Sequence, residues 1–261
     1  MSRLGPRLIA CAAVAAIALA VSGSGCSVGS GDGSVTSSLL CVPDCWSGPF
    51  NLQPDFFAAT PNQDSLTIRI QRGSDFENFS DGISILVMGV TKIRESLLGQ
   101  PLPISLPPSV VPPGVPITPN PNPAQVQLAA YLQQTCRPAT PGLYAMDQVS
   151  LTGGGGDAGS CSLGADGGAA TLQCGANVTP PAVGTSTITF AHIFDASLAN
   201  GGDPGGLTAE QRLTQATFEV ELTDPRDMCP GGIGPPPPSR GHLSGSFRFY
   251  FERGKPAQAF P

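Results

Sequence analysis

Hydrophobic and polar residues alternate along several short stretches of the chain, which is the pattern of strands that bury one face. The clearest stretch is 243–252, where Leu243, Phe247 and Phe249 fall on the same face. Similar alternation occurs at 66–71, 143–151, 170–178, 187–194 and 216–222. The pattern predicts β-strands from about residue 65 to the C-terminus.

Two apolar segments add strands to this set. Asp81-Gly82 is a turn signal, and the run 83–88 that follows it predicts a strand that is buried on both faces. Residues 124–135 contain helix-favouring Ala, Gln and Leu, but their apolar positions keep a period of two, which favours a strand.

Helix signals are scarce. Residues 92–98 predict two helical turns that end at Gly99, and Thr208 with Gln211 forms a capping-box pattern ahead of a short helix to about Gln215. About seven short strands with Gly and Pro between them predict an all-β fold: an antiparallel β-sandwich with long Pro/Gly-rich loops and one or two short helices.

A proline tract occupies residues 101–123, with ten prolines. A residue that precedes proline is restricted to extended conformations, so the tract is predicted to be a long extended loop. It is interpreted as a stiff connection that crosses one end of the sandwich or covers an edge strand. The alternative is a polyproline ligand for a partner protein.

The N-terminus has the layout of a secretory signal peptide. Arg3 and Arg7 precede the uncharged apolar run 8–21, and small residues lead to Cys26. The run has 14 residues, fewer than the roughly 20 that a membrane-spanning helix needs. The small residues ending in Cys26 resemble the lipobox of bacterial lipoproteins, which implies lipid attachment at Cys26. Ordinary cleavage after Ala20 or Gly23 is the alternative.

The cysteine count favours the lipid anchor. Cys11 leaves with the signal peptide and Cys26 carries the lipid, so an even number remains for an oxidising compartment. The disulfide candidates are Cys41, Cys45, Cys136, Cys161, Cys174 and Cys229. A Cys161–Cys174 bond across a Gly-rich loop is the favoured pair. Cys41 or Cys45 is expected to reach Cys136 or Cys229, and the choice stays open.

These features divide the chain into a signal peptide at 1–25, a Gly/Ser-rich tether at 26–40 and one β-sandwich domain at 41–261 that contains the Pro-rich loop 101–123. The Gly/Ser composition predicts a flexible tether that holds the domain off the membrane. Ser27 follows the lipid-bearing cysteine, and its resemblance to lipoprotein sorting signals implies the outer membrane.

Composition and charge exclude several classes of protein. Charged residues make up only 12 % of the chain, too few for a coiled coil or a helical bundle. Without Arg3 and Arg7 the chain has 11 basic and 19 acidic residues, a net charge of −8. An acidic, lysine-poor domain argues against nucleic acid and anionic lipid headgroups as partners.

No strong catalytic or metal-binding motif is evident in the sequence. An HExxH pair and a Walker-type loop are both absent from it. The pair Cys41 and Cys45 has no second close pair and no nearby histidine, so zinc is not expected. His192 and His242 are interpreted as structural. We therefore predict no catalytic residue, no metal and no cofactor.

Two alternatives involve acidic residues. Oxygen-rich loops on an exported sandwich can bind Ca²⁺, and the candidates are Asp75, Glu77, Asp81, Asp157, Asp166, Asp224 and Asp227. Glu219 and Glu221 occur at i and i+2 of one predicted strand, where an envelope hydrolase or carbohydrate-processing enzyme would use them as acid and base. Solvated turns and a solvated sheet surface explain the same residues.

Several segments together resemble a group of exported lipoproteins of myxobacterial type whose members have no assigned activity. The segments are DFFAATP at 55–61, LTIRIQRGSDFENFSDGISILV at 66–87, IRESLLGQPLPISLPP at 93–108, LTDPRD at 222–227 and GSFRFYFERGKPAQAFP at 245–261. The resemblance implies export, anchoring and a shared fold, and it supplies no catalytic residue. We therefore expect a lipid-anchored envelope protein with a structural, adhesive or binding role toward an envelope protein or polysaccharide.

Overall fold

A computed structural model describes residues 31–42, 45–73, 77–111, 124–136, 142–147, 149–150, 183–194, 208–228 and 237–251. Within these ranges the fold is all-β, as predicted, and 11 strands belong to one sheet in which paired strands run antiparallel. The strands are β1 (Gly31–Val42), β2 (Trp46–Leu52), β3 (Phe56–Asn62), β4 (Ser65–Arg72), β5 (Asp81–Met88), β6 (Pro101–Pro103), β7 (Gln125–Leu132), β8 (Leu143–Ala145), β9 (Val149–Ser150), β10 (Val183–Gly184), β11 (Thr187–His192), β12 (Leu213–Thr223) and β13 (Gly241–Tyr250).

The sheet folds back on itself into two layers. The first layer has the order β2-β1-β13-β12-β11-β6, and the second has the order β8-β7-β5-β4-β3. They join where the end of β12 pairs with β8, at Leu222 and Thr223. Phe57 of β3 and Phe249 of β13 belong to different layers, yet their ring centroids lie 6.0 Å apart. The apolar side chains between the layers form the core of this sandwich-like fold.

Strand β1 crosses over the second layer. Its first residue, Gly31, lies against Phe57 of β3. Beyond its other end, Cys45 is bonded to Cys136, just after β7. Because β4 and β5 lie between β3 and β7, β1 passes across the second layer from β3 toward β7.

Most of the predicted strands are present. In β4 the residues Leu66, Ile68 and Ile70 are buried as the alternation predicts, and β13 buries Leu243, Phe247 and Phe249. The predicted strand 124–135 is β7. The prediction for 143–151 holds only for the short strands β8 and β9, and 170–178 lies outside the described residues.

Strand β5 differs from its prediction in two ways. It buries one face rather than two, because Ser84, Leu86 and Met88 are only partly covered. Asp81 begins the strand instead of forming a turn. The Asp81 carboxylate accepts hydrogen bonds from the backbone N–H groups of Gln134 and Thr135, both at 3.0 Å, which fix it beside the end of β7.

The proline tract covers a sheet edge, as one of its two interpretations predicts. Strand β6 lies within the tract and pairs with the outer edge of β11, where Leu102 is the partner of Ile188. Ile104 then bridges to Val126 of β7. A 3₁₀ turn follows at Pro108–Val110, and residues 112–123 lie outside the described part.

The predicted tether is wrong for residues 31–40, which belong to β1. This strand pairs with β13 on one side and with β2 on the other. The Gly and Ser content of β1 resembles that of a flexible linker, but Gly31 and Gly33 are tightly packed against β13. A Cβ on Gly33 would lie 2.7 Å from the carbonyl oxygen of Ser246 and 3.2 Å from Phe247. Residues 26–30 lie outside the described part.

Both predicted short helices are present with different bounds: the first begins two residues earlier than predicted, and the second ends earlier than predicted. Helix α1 (Val90–Lys92) continues into a π-helical turn at Ile93–Leu97, and Gly99 follows with a φ of 75°. Helix α2 (Ala209–Arg212) has the predicted capping box between Thr208 and Gln211. It stops before Gln215 because Leu213 already pairs with Tyr250 in the sheet.

Candidate functional site

The structure confirms that some of the predicted cysteines form disulfide bonds within the fold. Cys45 is bonded to Cys136, one of the pairings that the sequence left open, across 91 residues of chain. Cys41 is also disulfide-bonded, and neither Cys45 nor Cys136 is its partner. Cys26, Cys161, Cys174 and Cys229 lie outside the described residues, so the lipid site and the Cys161–Cys174 bond stay predictions.

Four polar side chains meet on the outer face of the first layer, near the end of β12. We call Glu219, Glu221, Ser239 and His242 the His242 cluster. Sheet register positions three of them, because Glu221 is paired with His242 and Glu219 lies two residues earlier on the same face of β12. Ser239 precedes β13 by two residues.

Glu221 is the fixed centre of this cluster. Its side chain is only 10 % exposed. Ser239 Oγ donates to Oε2 at 2.5 Å, and His242 Nδ1 lies 2.9 Å from Oε1. The backbone N–H of Glu221 donates to Ser186 Oγ at 2.9 Å. Since a carboxylate only accepts, Glu221 orients the imidazole with the proton on Nδ1.

The outward side of His242 meets a second carboxylate. Nε2 lies 3.5 Å from Oε2 of Glu219, whose side chain is 73 % exposed. The imidazole therefore lies between one buried and one solvated carboxylate. Such a group holds or passes a proton, but acyl transfer also needs a nucleophile. In the described part of the chain, His242 bonds carboxylates only.

Two acid–arginine pairs lie beside the cluster. Arg240 Nε and Nη2 donate to the two carboxylate oxygens of Asp227 at 2.7 and 2.8 Å, and both side chains are largely buried. The backbone of Arg240 also links β12 to β1, since its N–H donates to Leu222 and its carbonyl accepts from Cys41. These contacts explain Asp227 as part of the fold rather than as a calcium ligand.

Asp224 pairs with Arg226 across a tight turn. Its carboxylate accepts from the backbone N–H of Arg226 at 2.9 Å and from the guanidinium of the same residue. Burial by itself would raise the pKa of Asp224, but the hydrogen bonds and charge of Arg226, with the charge of Arg240, hold that pKa below its ordinary value. Asp224 therefore remains ionised at neutral pH as a turn-forming group.

The described surface includes two shallow hollows near candidate residues. One of about 270 Å³ is lined by hydroxyl groups and by Glu219, with Thr187, Thr189, Thr217 and Ser244 around it. Another of about 410 Å³ lies near His192 and is lined by Arg94, Glu95, Leu98 and Glu210. Neither hollow includes Glu221 or His242 among its lining residues.

The other acidic candidates are scattered. Asp81 anchors the turn after β7, where Thr135 Oγ1 also donates to its Oδ2 at 2.5 Å. Glu77 lies 3.7 Å from the guanidinium of buried Arg69. Asp75, Asp157 and Asp166 lie outside the described residues. Among the described residues, no group of three or more His, Cys, Asp or Glu side chains is arranged to hold a metal ion.

Sequence reasoning finds the members of the His242 cluster singly but not together. Spacing along one strand singles out Glu219 and Glu221, whereas His242 is interpreted from the sequence as structural. The pairing of Glu221 with His242 depends on the register between β12 and β13, which neither strand specifies alone. Ser239 and Arg240 carry no sequence signal.

No helix in the described ranges is both long enough and apolar enough to cross a membrane. A scan against protein-family models finds no match to this chain, and searches of curated proteins and of solved structures find no match either.

Proposed function

We propose that this chain is an exported protein of the cell envelope, anchored by a lipid on Cys26, with a structural, adhesive or binding role toward an envelope protein or polysaccharide. The observation that carries the proposal is the Cys45–Cys136 disulfide, together with the bonded Cys41. Disulfides persist in exported proteins and are rare in reducing compartments. The signal-peptide layout and the resemblance to myxobacterial-type lipoproteins support the same compartment.

A non-catalytic role is supported by how the polar groups are used. The buried carboxylates Glu221, Asp224 and Asp227 each bond a neighbouring side chain of the fold. On the outer face of the first layer, hydroxyl side chains of β11, β12 and β13 surround a shallow hollow. A broad polar surface of this kind suits contact with a polymer better than enclosure of a small substrate.

Acylation at Cys26 is the first test. Expressed with its own N-terminus in a Gram-negative host, the wild-type chain should incorporate a labelled fatty acid and sediment with membranes. Cys26→Ala should lose both properties. Cys11→Ala is the matched control, because Cys11 lies inside the predicted signal peptide and should not affect labelling. Labelling that survives in Cys26→Ala, or a wild-type chain without label, would overturn the anchor.

An envelope hydrolase is the second candidate, favoured by the different surroundings of Glu219 and Glu221 on either side of His242. If the protein releases fragments from cell-wall polysaccharide, Glu221→Gln should slow that release by about 10²-fold or more. A wild-type protein that releases no fragments contradicts this candidate.

A further inference from the structure

We propose that the side of the molecule that carries the start of β1 is held close to the bilayer, and that the side with Trp46 and the His242 cluster faces away from it. This orientation rests on the lipid anchor proposed at Cys26. It replaces the expectation that a long flexible tether holds the domain off the membrane.

The short distance along the chain between Cys26 and Gly31 carries the inference. Five peptide units join these two residues, and in any conformation they span at most about 18 Å. Acyl chains on Cys26 would hold that residue at the interfacial layer, which is about 5–7 Å deep on each side of the hydrocarbon core. The start of β1 is therefore restricted to the vicinity of the lipid headgroups.

The residues beside Gly31 define the side that faces the membrane. Gly31 is paired with Phe249, and Tyr250 and Phe251 extend beyond that pair. Tyr250 is in turn paired with Leu213, the first residue of β12 after helix α2. The start of β1, the end of β13 and the start of β12 thus lie at one level of the first layer.

The opposite side begins where β1 ends. Twelve strand residues span at most about 36 Å from first to last, and β1 is irregular between Ser37 and Leu40. At the far end Val42 is paired with Trp46 in β2. Glu221 lies eight residues along β12 from Leu213, about 26 Å from the membrane-facing level.

The charge of the molecule favours this upright arrangement over one that lies flat. A flat first layer would press the exposed acidic side chains Asp32 and Glu219 against the headgroups, with the exposed Arg248 as the basic group opposite Asp32. The acidic net charge after signal removal adds repulsion from anionic lipids. An upright molecule needs only the start of β1 near the bilayer and leaves the polar outer face open to a partner.

The single tryptophan of the chain makes the orientation measurable. Acylated protein, confirmed by its intact mass, is reconstituted into phosphatidylethanolamine/phosphatidylglycerol vesicles that contain a lipid with a nitroxide near the headgroup. Trp46 should keep its fluorescence, because it lies on the far side. In Trp46→Phe/Tyr250→Trp, the new tryptophan should lose fluorescence when the nitroxide lipid is present. Trp46→Phe alone gives the background, and melting curves confirm that the variants fold.

Loss of Trp46 fluorescence equal to that of the tryptophan at position 250 would show a flat molecule and overturn the proposal. An unquenched tryptophan at position 250 would show a domain held off the membrane and would also overturn it. Both outcomes are read on acylated protein, so neither contradicts the anchor. A protein without acyl chains would instead contradict the proposed function itself.

A variant with a longer linker tests whether the short chain between Cys26 and Gly31 is what holds position 250 close to the membrane. Insertion of a Gly/Ser segment of about ten residues between Ser30 and Gly31 should weaken quenching at position 250, because a flexible linker lengthens the reach. Membrane attachment should not change. Undiminished quenching in the long-linker variant would contradict the role of chain length.

Discussion

At the scale of single residues, the charged groups of the described structure act mainly on one another. Arg240 illustrates this, because its guanidinium binds Asp227 while its backbone joins β12 to β1. Glu221 similarly holds Ser239 and His242. A buried ion pair contributes little net free energy, but removal of one partner is costly because the other charge remains desolvated.

Asp227→Asn should therefore lower the free energy of unfolding by about 2–4 kcal/mol, since it leaves the largely buried Arg240 guanidinium without its carboxylate. Urea denaturation of the purified protein measures the change. Glu219→Gln is the matched control, because its exposed contact with His242 should contribute less than about 1 kcal/mol. Equal effects of the two substitutions would contradict the structural role given to Asp227.

The lowered pKa of Asp224 predicts how acid affects stability. Its pKa in the folded state lies below the ordinary value of 3.8. The stabilising contribution is therefore complete above that ordinary value and is lost as the pH falls through the folded-state pKa. Asp224→Asn should narrow the difference in unfolding free energy between about pH 6 and about pH 3. An unchanged difference would show that the carboxylate does not carry this dependence.

At the scale of elements, the alternating strands were predictable and β1 was not. Strands β4 and β13 carry large apolar residues on one face, which is a local signal. In β1 the corresponding positions begin with Gly31 and Gly33, because Phe249 and Phe247 of the neighbouring strand fill the space. From composition alone, such glycines are interpreted as part of a linker. Their close packing becomes evident only when the aromatic residues of β13 are placed beside them.

A substitution in β1 distinguishes a strand from a tether. Gly33→Ala should destabilise the protein by about 1–3 kcal/mol, because the added methyl group overlaps the carbonyl of Ser246. In a flexible tether the same change would be neutral. Asp32→Ala, at an exposed neighbouring position, should have little effect. Thermal or urea unfolding compares the two, and equal stability of both variants would argue for a tether.

The Cys45–Cys136 bond should stabilise the sandwich, because it joins the turn between β1 and β2 in the first layer to the end of β7 in the second. It closes a separation of 91 residues, and disulfides of this kind contribute about 2–5 kcal/mol, chiefly by restricting the unfolded chain. Cys45→Ala/Cys136→Ala should lower the denaturation midpoint accordingly. If the double variant and the wild type unfold at the same urea concentration, the bond does not stabilise the fold.

At the scale of the whole molecule, fold class followed from the sequence, but the arrangement of its polar groups did not. Strand periodicity is local, whereas the meeting of Glu221 with His242 depends on how β12 and β13 are aligned. The length of chain between the proposed lipid site and the folded domain could not be predicted either, because it depends on the residue at which β1 begins. Export and lipid attachment rest on N-terminal residues outside the described part, so they need a direct chemical test.

The intact mass of protein purified from its native membrane, before and after reduction and alkylation, tests anchoring and disulfide bonding together. A lipid-anchored envelope protein predicts a mass that begins at Cys26 with added acyl chains and gains six alkyl groups only after reduction. A mass without acyl chains that begins at Val21 or Ser24, or cysteines that react before reduction, would contradict that prediction.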